Sequence, residues 1–279
     1  MKLSGKCLLP LVLLISCLSA QSTPTHTRHL SFHIHVRDVA KDFGALVSTP
    51  FRSFPRNQLV FLGITSVPAL LIWKGDQPID EEYAREERRF PISVAHHLAD
   101  IGNVYNQAGS AIYVAGVTAV LGSVALFKGD TKMWQTAGLL VEAEFFTFLS
   151  VSGMKMVLGR ARPFTNEGPH RFDLFHFQTQ HPHISLPSLH TASVYAMATV
   201  LSDQYPRWWV KIPAYSFAVS VALQRMESRE HWASDVFVGG VMGYYIAHIL
   251  FERRHPGPRQ RVRITLSIRE NLLGMAIAF

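Results

Sequence analysis

From Ser110 to Phe127 the chain carries no charged side chain, and Val236 to Phe251 repeats this near the other end. Wound as an α-helix at ~1.5 Å per residue, a run of that length reaches across most of a bilayer's apolar core. The first run is apolar on every face and rich in Gly and Ala, so other helices or lipid must cover it all round. Lys128-Gly129-Asp130 closes it. A further helix, Lys132 to Leu158, carries Glu142 and Glu144 inside an apolar stretch and ends near Lys155. Thr191 to Leu201, Trp208 to Leu223 and His231 to Phe251 read as three more. The chain is therefore expected to be all-α, a bundle of about six core helices. Its mean hydropathy is only +0.13, so two arrangements satisfy the pattern: a bundle in or against a membrane, and a soluble periplasmic one. The charge-free runs favour the membrane.

The ends differ from this middle. Lys2 and Lys6, an apolar run from Cys7 to Leu18, and Ser19-Ala20 have the layout of a secretory signal peptide over residues 1–20. Leu14-Ile15-Ser16-Cys17 also fits a bacterial lipobox, and a retained anchor helix is the third option. Leu30, Phe32, Ile34 and Val36 alternate with polar residues as one short strand, followed by a helix from Asp38 to Val47 that Thr49-Pro50 ends. Leu59 to Trp73 is apolar with Pro68 inside it, and the charged Asp80 to Arg89 segment reads as a solvated loop or surface helix. Val262, Ile264, Leu266 and Ile268 alternate with polar residues before an apolar run to Phe279, which predicts a C-terminal hairpin able to pair with the 30–36 strand. Two strands close no barrel. The divisions expected are thus 1–20 leader, 21–98 N-terminal strand and helices, 99–252 helical core, and 253–279 hairpin tail.

Both cysteines, Cys7 and Cys17, lie in the leader. The body then has no disulfide, no thiolate metal site and no cysteine nucleophile. A net charge of +7 suits nucleic acid, an anionic membrane or a phosphorylated substrate. The basic residues are scattered, apart from Arg253, Arg254, Arg259, Arg261 and Arg263, with no aromatic-interleaved stripe, which argues against nucleic acid. His181-Pro182-His183 lacks a carboxylate at ligand spacing, so no metal site is expected.

Three separated stretches carry chemistry. Lys155 and Arg162-Pro163 place cations on and just beyond the end of one helix, because Pro163 disfavours helical geometry at Arg162. Pro187-Ser188-Leu189-His190 leads into a helix whose first N–H groups and Ser188 hydroxyl face an anion, or form a plain N-cap. Arg225, His231 and Asp235 put an imidazole and a carboxylate four apart on one helix face, where the acid holds the ring's tautomer. Singly, each has a structural explanation. Jointly, three cations hold a tetrahedral oxyanion while two histidines supply a nucleophile and a proton donor.

In this order the stretches resemble the type 2 phosphatidic acid phosphatase and vanadium haloperoxidase superfamily, with its Lys-x6-Arg-Pro, Pro-Ser-Gly-His and Ser-Arg-x5-His-x3-Asp pattern. The resemblance covers roughly 130 to 250. Leu189 stands where the family has Gly, and Gln224 where it has Ser. The resemblance implies that Lys155, Arg162 and Arg225 clamp phosphate with Ser188 and the Leu189 amide, that His231 attacks phosphorus held by Asp235, and that His190 protonates the leaving oxygen. It implies no metal or other cofactor. The expected activity is hydrolysis of a phosphomonoester or diphosphate, on a lipid, an isoprenoid or a small molecule, at the exported side of a bacterial envelope. The alternatives are a vanadate-dependent haloperoxidase, whose cage would hold vanadate, and a non-catalytic envelope protein on the same scaffold.

Overall fold

A computed structural model of the protein describes residues 41, 42, 44, 56–85, 90–175, 177, 179–255, 263–269 and 272–278. The leader and the 30–36 strand lie outside the described residues, as does all but three positions of the 38–47 helix. Seven helices appear among the described residues: α1 (Arg56–Tyr83), α2 (Ile92–Ala108), α3 (Ser110–Lys128), α4 (Thr131–Leu158), α5 (Leu189–Gln204), α6 (Trp208–Glu227) and α7 (Ala233–Arg254). Strands β1 (Arg263–Arg269) and β2 (Leu272–Ala278) form an antiparallel hairpin that pairs Arg263 with Ala278 and Ile268 with Leu273.

The boundaries follow local chemistry. Asp130 caps α4, its carboxylate accepting from the Met133 N–H at 3.0 Å. Gly159 ends α4 at φ 56°, where a Cβ would lie 2.5 Å from the Asp173 carbonyl oxygen, so only glycine makes this turn. α1 corrects the sequence reading: it runs on through Pro68 and Pro78 to Tyr83, and Asp80 is buried within it instead of solvated. α2 is an addition. Its buried face, Ala99, Gly102 and Tyr105, is too sparsely apolar to stand out as a stripe.

α5 is the central helix, packed against α4, α6 and α7, with α3 on α4, α2 on α6 and α1 against α7. Leu121, Met133, Leu140, Phe146, Val194, Leu201 and Leu250 fill the interior. The acids inside α4 are both partnered, Glu142 by Arg254 and Glu144 by the Ser193 hydroxyl at 2.6 Å. α3, α4 and α7 are long and apolar enough to cross a membrane, and Val141, Phe145 and Phe148 form an exposed stripe on α4.

Glycine lets α5 and α7 touch. A Cβ on Gly243 would sit 1.9 Å from the Ala192 carbonyl oxygen, so Gly243→Ala must push the two helices apart. Thermal unfolding in detergent should show a loss of about 1–3 kcal/mol. Gly116→Ala, on α3 with open space around it, should be neutral or mildly stabilising. Equal effects would contradict this packing.

Candidate active site

The winding of the bundle brings the C-terminal ends of α4 and α6 and the N-terminal ends of α5 and α7 to one end, around a cavity of about 340 Å³. Lys155, Arg162, Leu189, His190, Arg225 and His231 all line it. Residues spread from Lys155 to His231 along the chain thus share one space. Lys155 donates to the Ile184 carbonyl at 2.6 Å. The Nε atoms of Arg162 and Arg225 are buried and have no hydrogen-bond partner among the described residues. Buried guanidinium N–H groups without protein acceptors suit an anionic guest. Ser188 is the N-cap of α5, accepting from Thr191 N–H at 3.4 Å, so its hydroxyl serves the helix whatever else it does.

The third stretch is arranged differently from the sequence expectation. His231 precedes α7, which begins at Ala233, so His231 and Asp235 do not share a helix face. Their closest approach, His231 Nδ1 to Asp235 Oδ2, is 3.8 Å, longer than a hydrogen bond. The physical reason is that Asp235 is engaged elsewhere. Its carboxylate accepts from the Ser185 hydroxyl at 2.5 Å, from the Trp232 N–H at 3.0 Å, and from Arg160. Asp235 therefore lies near His231 without a hydrogen bond to it, and its bond to the Trp232 N–H shapes the turn before α7. Trp232 Nε1 ties that turn to the Ala161 carbonyl at 2.8 Å, beside Arg162.

Burial, joined by the fields of Lys155, Arg162 and Arg225, holds His231 well below the ordinary histidine pKa. It is a neutral imidazole at neutral pH, the form with a free lone pair. Burial and then Arg225, Lys155 and Arg162 push His190 down to about 3. His190 is therefore neutral as well.

Three participants were missed in the sequence. Arg160 is fully buried beneath the site, bonded to Asp76 at 2.8 Å, to the Ser234 hydroxyl at 2.8 Å and to Asp235, with the Trp73 ring 4.5 Å from its guanidinium carbon. Asp76 reaches it from α1 and also accepts from the Ser234 N–H and hydroxyl. Glu230, directly before His231, pairs with Arg162. Arg160 stands between Lys155 and Arg162 in the chain with nothing local to mark it, and neither acid sits at a spacing that announces a partner.

Over 138 residues the chain is 28% identical to a lipid A 1-phosphatase of Porphyromonas gingivalis, a match covering 45% of this chain and 27% of that protein. The crystal structure described as the first transmembrane PAP2 type phosphatidylglycerolphosphate phosphatase, from Bacillus subtilis, overlaps 71% of this chain and 97% of its own at 14% identity and a TM-score of 0.47. Residues 136–256 match the sequence pattern of the PAP2 superfamily, a span that holds every one of the three motif stretches. The helical core of this chain is similar to the PAP2 superfamily over residues 136–256, fewer than half of its 279.

Proposed function

We propose that this protein is a membrane-integral lipid phosphatase that works through a phosphohistidine. The observation that carries the reading is the convergence of Lys155, Arg162, Arg225, His190 and His231 on one cavity from separate segments of the chain. Lys155 and the two arginines bind the non-bridging phosphate oxygens, and Ser188 with the Leu189 amide completes the cradle at the positive end of α5. With Nδ1 of His231 turned toward Asp235, Nε2 is the atom that attacks phosphorus. The P–N bond forms as the P–O bond to the leaving group breaks, and His190 delivers a proton to that oxygen. Water then attacks the phosphohistidine, His190 takes its proton, and inorganic phosphate and neutral His231 are regenerated. The charge is managed by side chains throughout, so the scheme calls on no metal.

The lipid half rests on the cavity's wall. Met156, Ile184 and Leu189 make one side of it apolar, and the exposed stripe of α4 leads up to Met156. Phe175, whose N–H bonds the Val157 carbonyl at 2.7 Å, and Phe177 extend that apolar surface beside the end of α4. A headgroup held by the cations would leave its chains against this surface. The name of the Porphyromonas gingivalis relative points the same way. The test is a panel of lipid and soluble phosphate esters in mixed micelles with EDTA present. Phosphate release from lipid substrates at kcat/KM well above that for p-nitrophenyl phosphate supports the reading. Failure to release phosphate from any member overturns it.

The depressed pKa of His190 makes a further prediction. An oxyanion in the cradle offsets the fields of Arg225, Lys155 and Arg162, though not the burial, and so raises the His190 pKa. Binding then takes up a proton, and affinity rises as pH falls through the raised, anion-bound pKa toward the unliganded value of about 3. Competitive inhibition by sulfate, whose own charge is constant in this range, should tighten from pH 7 to 5. The trend should flatten in His190→Ala, and a flat profile in the wild-type protein would refute the assignment.

A further inference from the structure

The carboxylate of Glu230 already engages the two arginines assigned to the proposed phosphate. Its Oε2 pairs with Arg162 Nη1, lies 3.4 Å from Arg225 Nη2, and lies 3.4 Å from Nε2 of His181. One oxygen thus meets both of the arginines assigned to the substrate. The backbone beneath is fixed from several directions. The Glu230 and His231 N–H groups both bond the Arg225 carbonyl, at 3.2 and 3.3 Å, and the preceding Arg229 makes a two-bond pair with Asp80 of α1 at 3.0 and 2.7 Å. The side chain itself is more exposed than the arginines it contacts, 24% against 6% for Arg162 and 10% for Arg225. A fixed backbone carrying a carboxylate on the solvent side describes an occupant that can leave without disturbing the fold.

We infer that Glu230 is an internal counter-anion of the phosphate cradle, which the substrate phosphate displaces and which returns to help expel inorganic phosphate. This rests on the phosphatase reading above. The electrostatic logic is that Lys155, Arg162 and Arg225 share one cavity, and a single carboxylate lowers their mutual repulsion while lowering the net pull on an incoming oxyanion. Glu230 then sets the affinity for both substrate and product, trading tight capture for release. It touches the clamping arginines and plays no part in bond making.

The test is Glu230→Gln, which keeps shape and removes charge. Inorganic phosphate, measured as a competitive inhibitor of p-nitrophenyl phosphate hydrolysis and directly by calorimetry, should bind about tenfold or more tightly than to the wild-type protein. KM should fall in the same direction. The unliganded variant should melt lower than wild type and be stabilised more by added phosphate, because its cations have lost their partner. Glu230→Ala, measured alongside, should share the sign of the affinity change. Phosphate affinity that is unchanged or weaker in both variants, in a wild-type protein that phosphate does inhibit, overturns the counter-anion role and leaves the phosphatase reading intact. A wild-type protein with no affinity for phosphate overturns both.

Discussion

His231→Ala should abolish turnover, with a fall on the order of 10⁴-fold or more, the scale seen when a nucleophile is deleted. Acid-labile phosphate labelling of the protein should disappear with it. His190→Ala should behave differently. A general acid contributes roughly 10²- to 10⁴-fold when the leaving oxygen is strongly basic, and little when it is already stable as an anion. The loss in His190→Ala should therefore be large for an alkyl phosphate and small for p-nitrophenyl phosphate, with the phosphoenzyme still formed from the latter. The two rings line the same cavity, so geometry alone does not separate them. The leaving-group dependence does, and equal losses on both esters would reverse or cancel the proposed roles of the two histidines.

The second large effect is on stability. Arg160, Asp76 and Asp235 are fully excluded from water at their side chains, two carboxylates sharing one guanidinium. Arg160→Met removes the only cation of the three and leaves two unpaired carboxylates in the interior. Breaking such a pair costs about 3–5 kcal/mol, a large fraction of a typical domain's stability. Asp76→Asn is gentler, since it takes the trio from a net negative charge to neutrality while the amide oxygen still accepts from Ser234. We expect about 1–3 kcal/mol from that change. Thermal unfolding in detergent measures both, and similar losses would show that the charges are not coupled in this way.

The helices were legible because their signals are local: charge-free runs for α3 and α7, a glycine or proline at their ends, and an Ala/Val-rich run for α5. The convergence of Lys155, Arg162, His190, Arg225 and His231 was legible for another reason. Ammonium, guanidinium and imidazole groups in that order match a known pattern, and the pattern encodes a geometry that spacing alone does not. What failed to show was everything held by distant pairing. Asp80 looks like a surface charge until Arg229 is placed beside it. Asp235 looks like the partner of His231 until Arg160 and Ser185 claim its oxygens. α2, whose Asn106 accepts from Arg225 at 3.1 Å, has too few apolar positions for its packing on α6 to appear in periodicity.

Asp76 lies sixty positions ahead of residue 136, where the superfamily pattern begins. The unit that is recognisable and the unit that is operable are therefore not the same length. A fragment cut at the recognised border, or a chimera that takes its first helix from a relative without an acid at this place, would enclose Arg160 with one carboxylate fewer and leave the Ser234 N–H without its acceptor. Swaps between relatives should succeed when the border falls ahead of Trp73 and fail when it falls between Tyr83 and Thr136, however well the motifs themselves align.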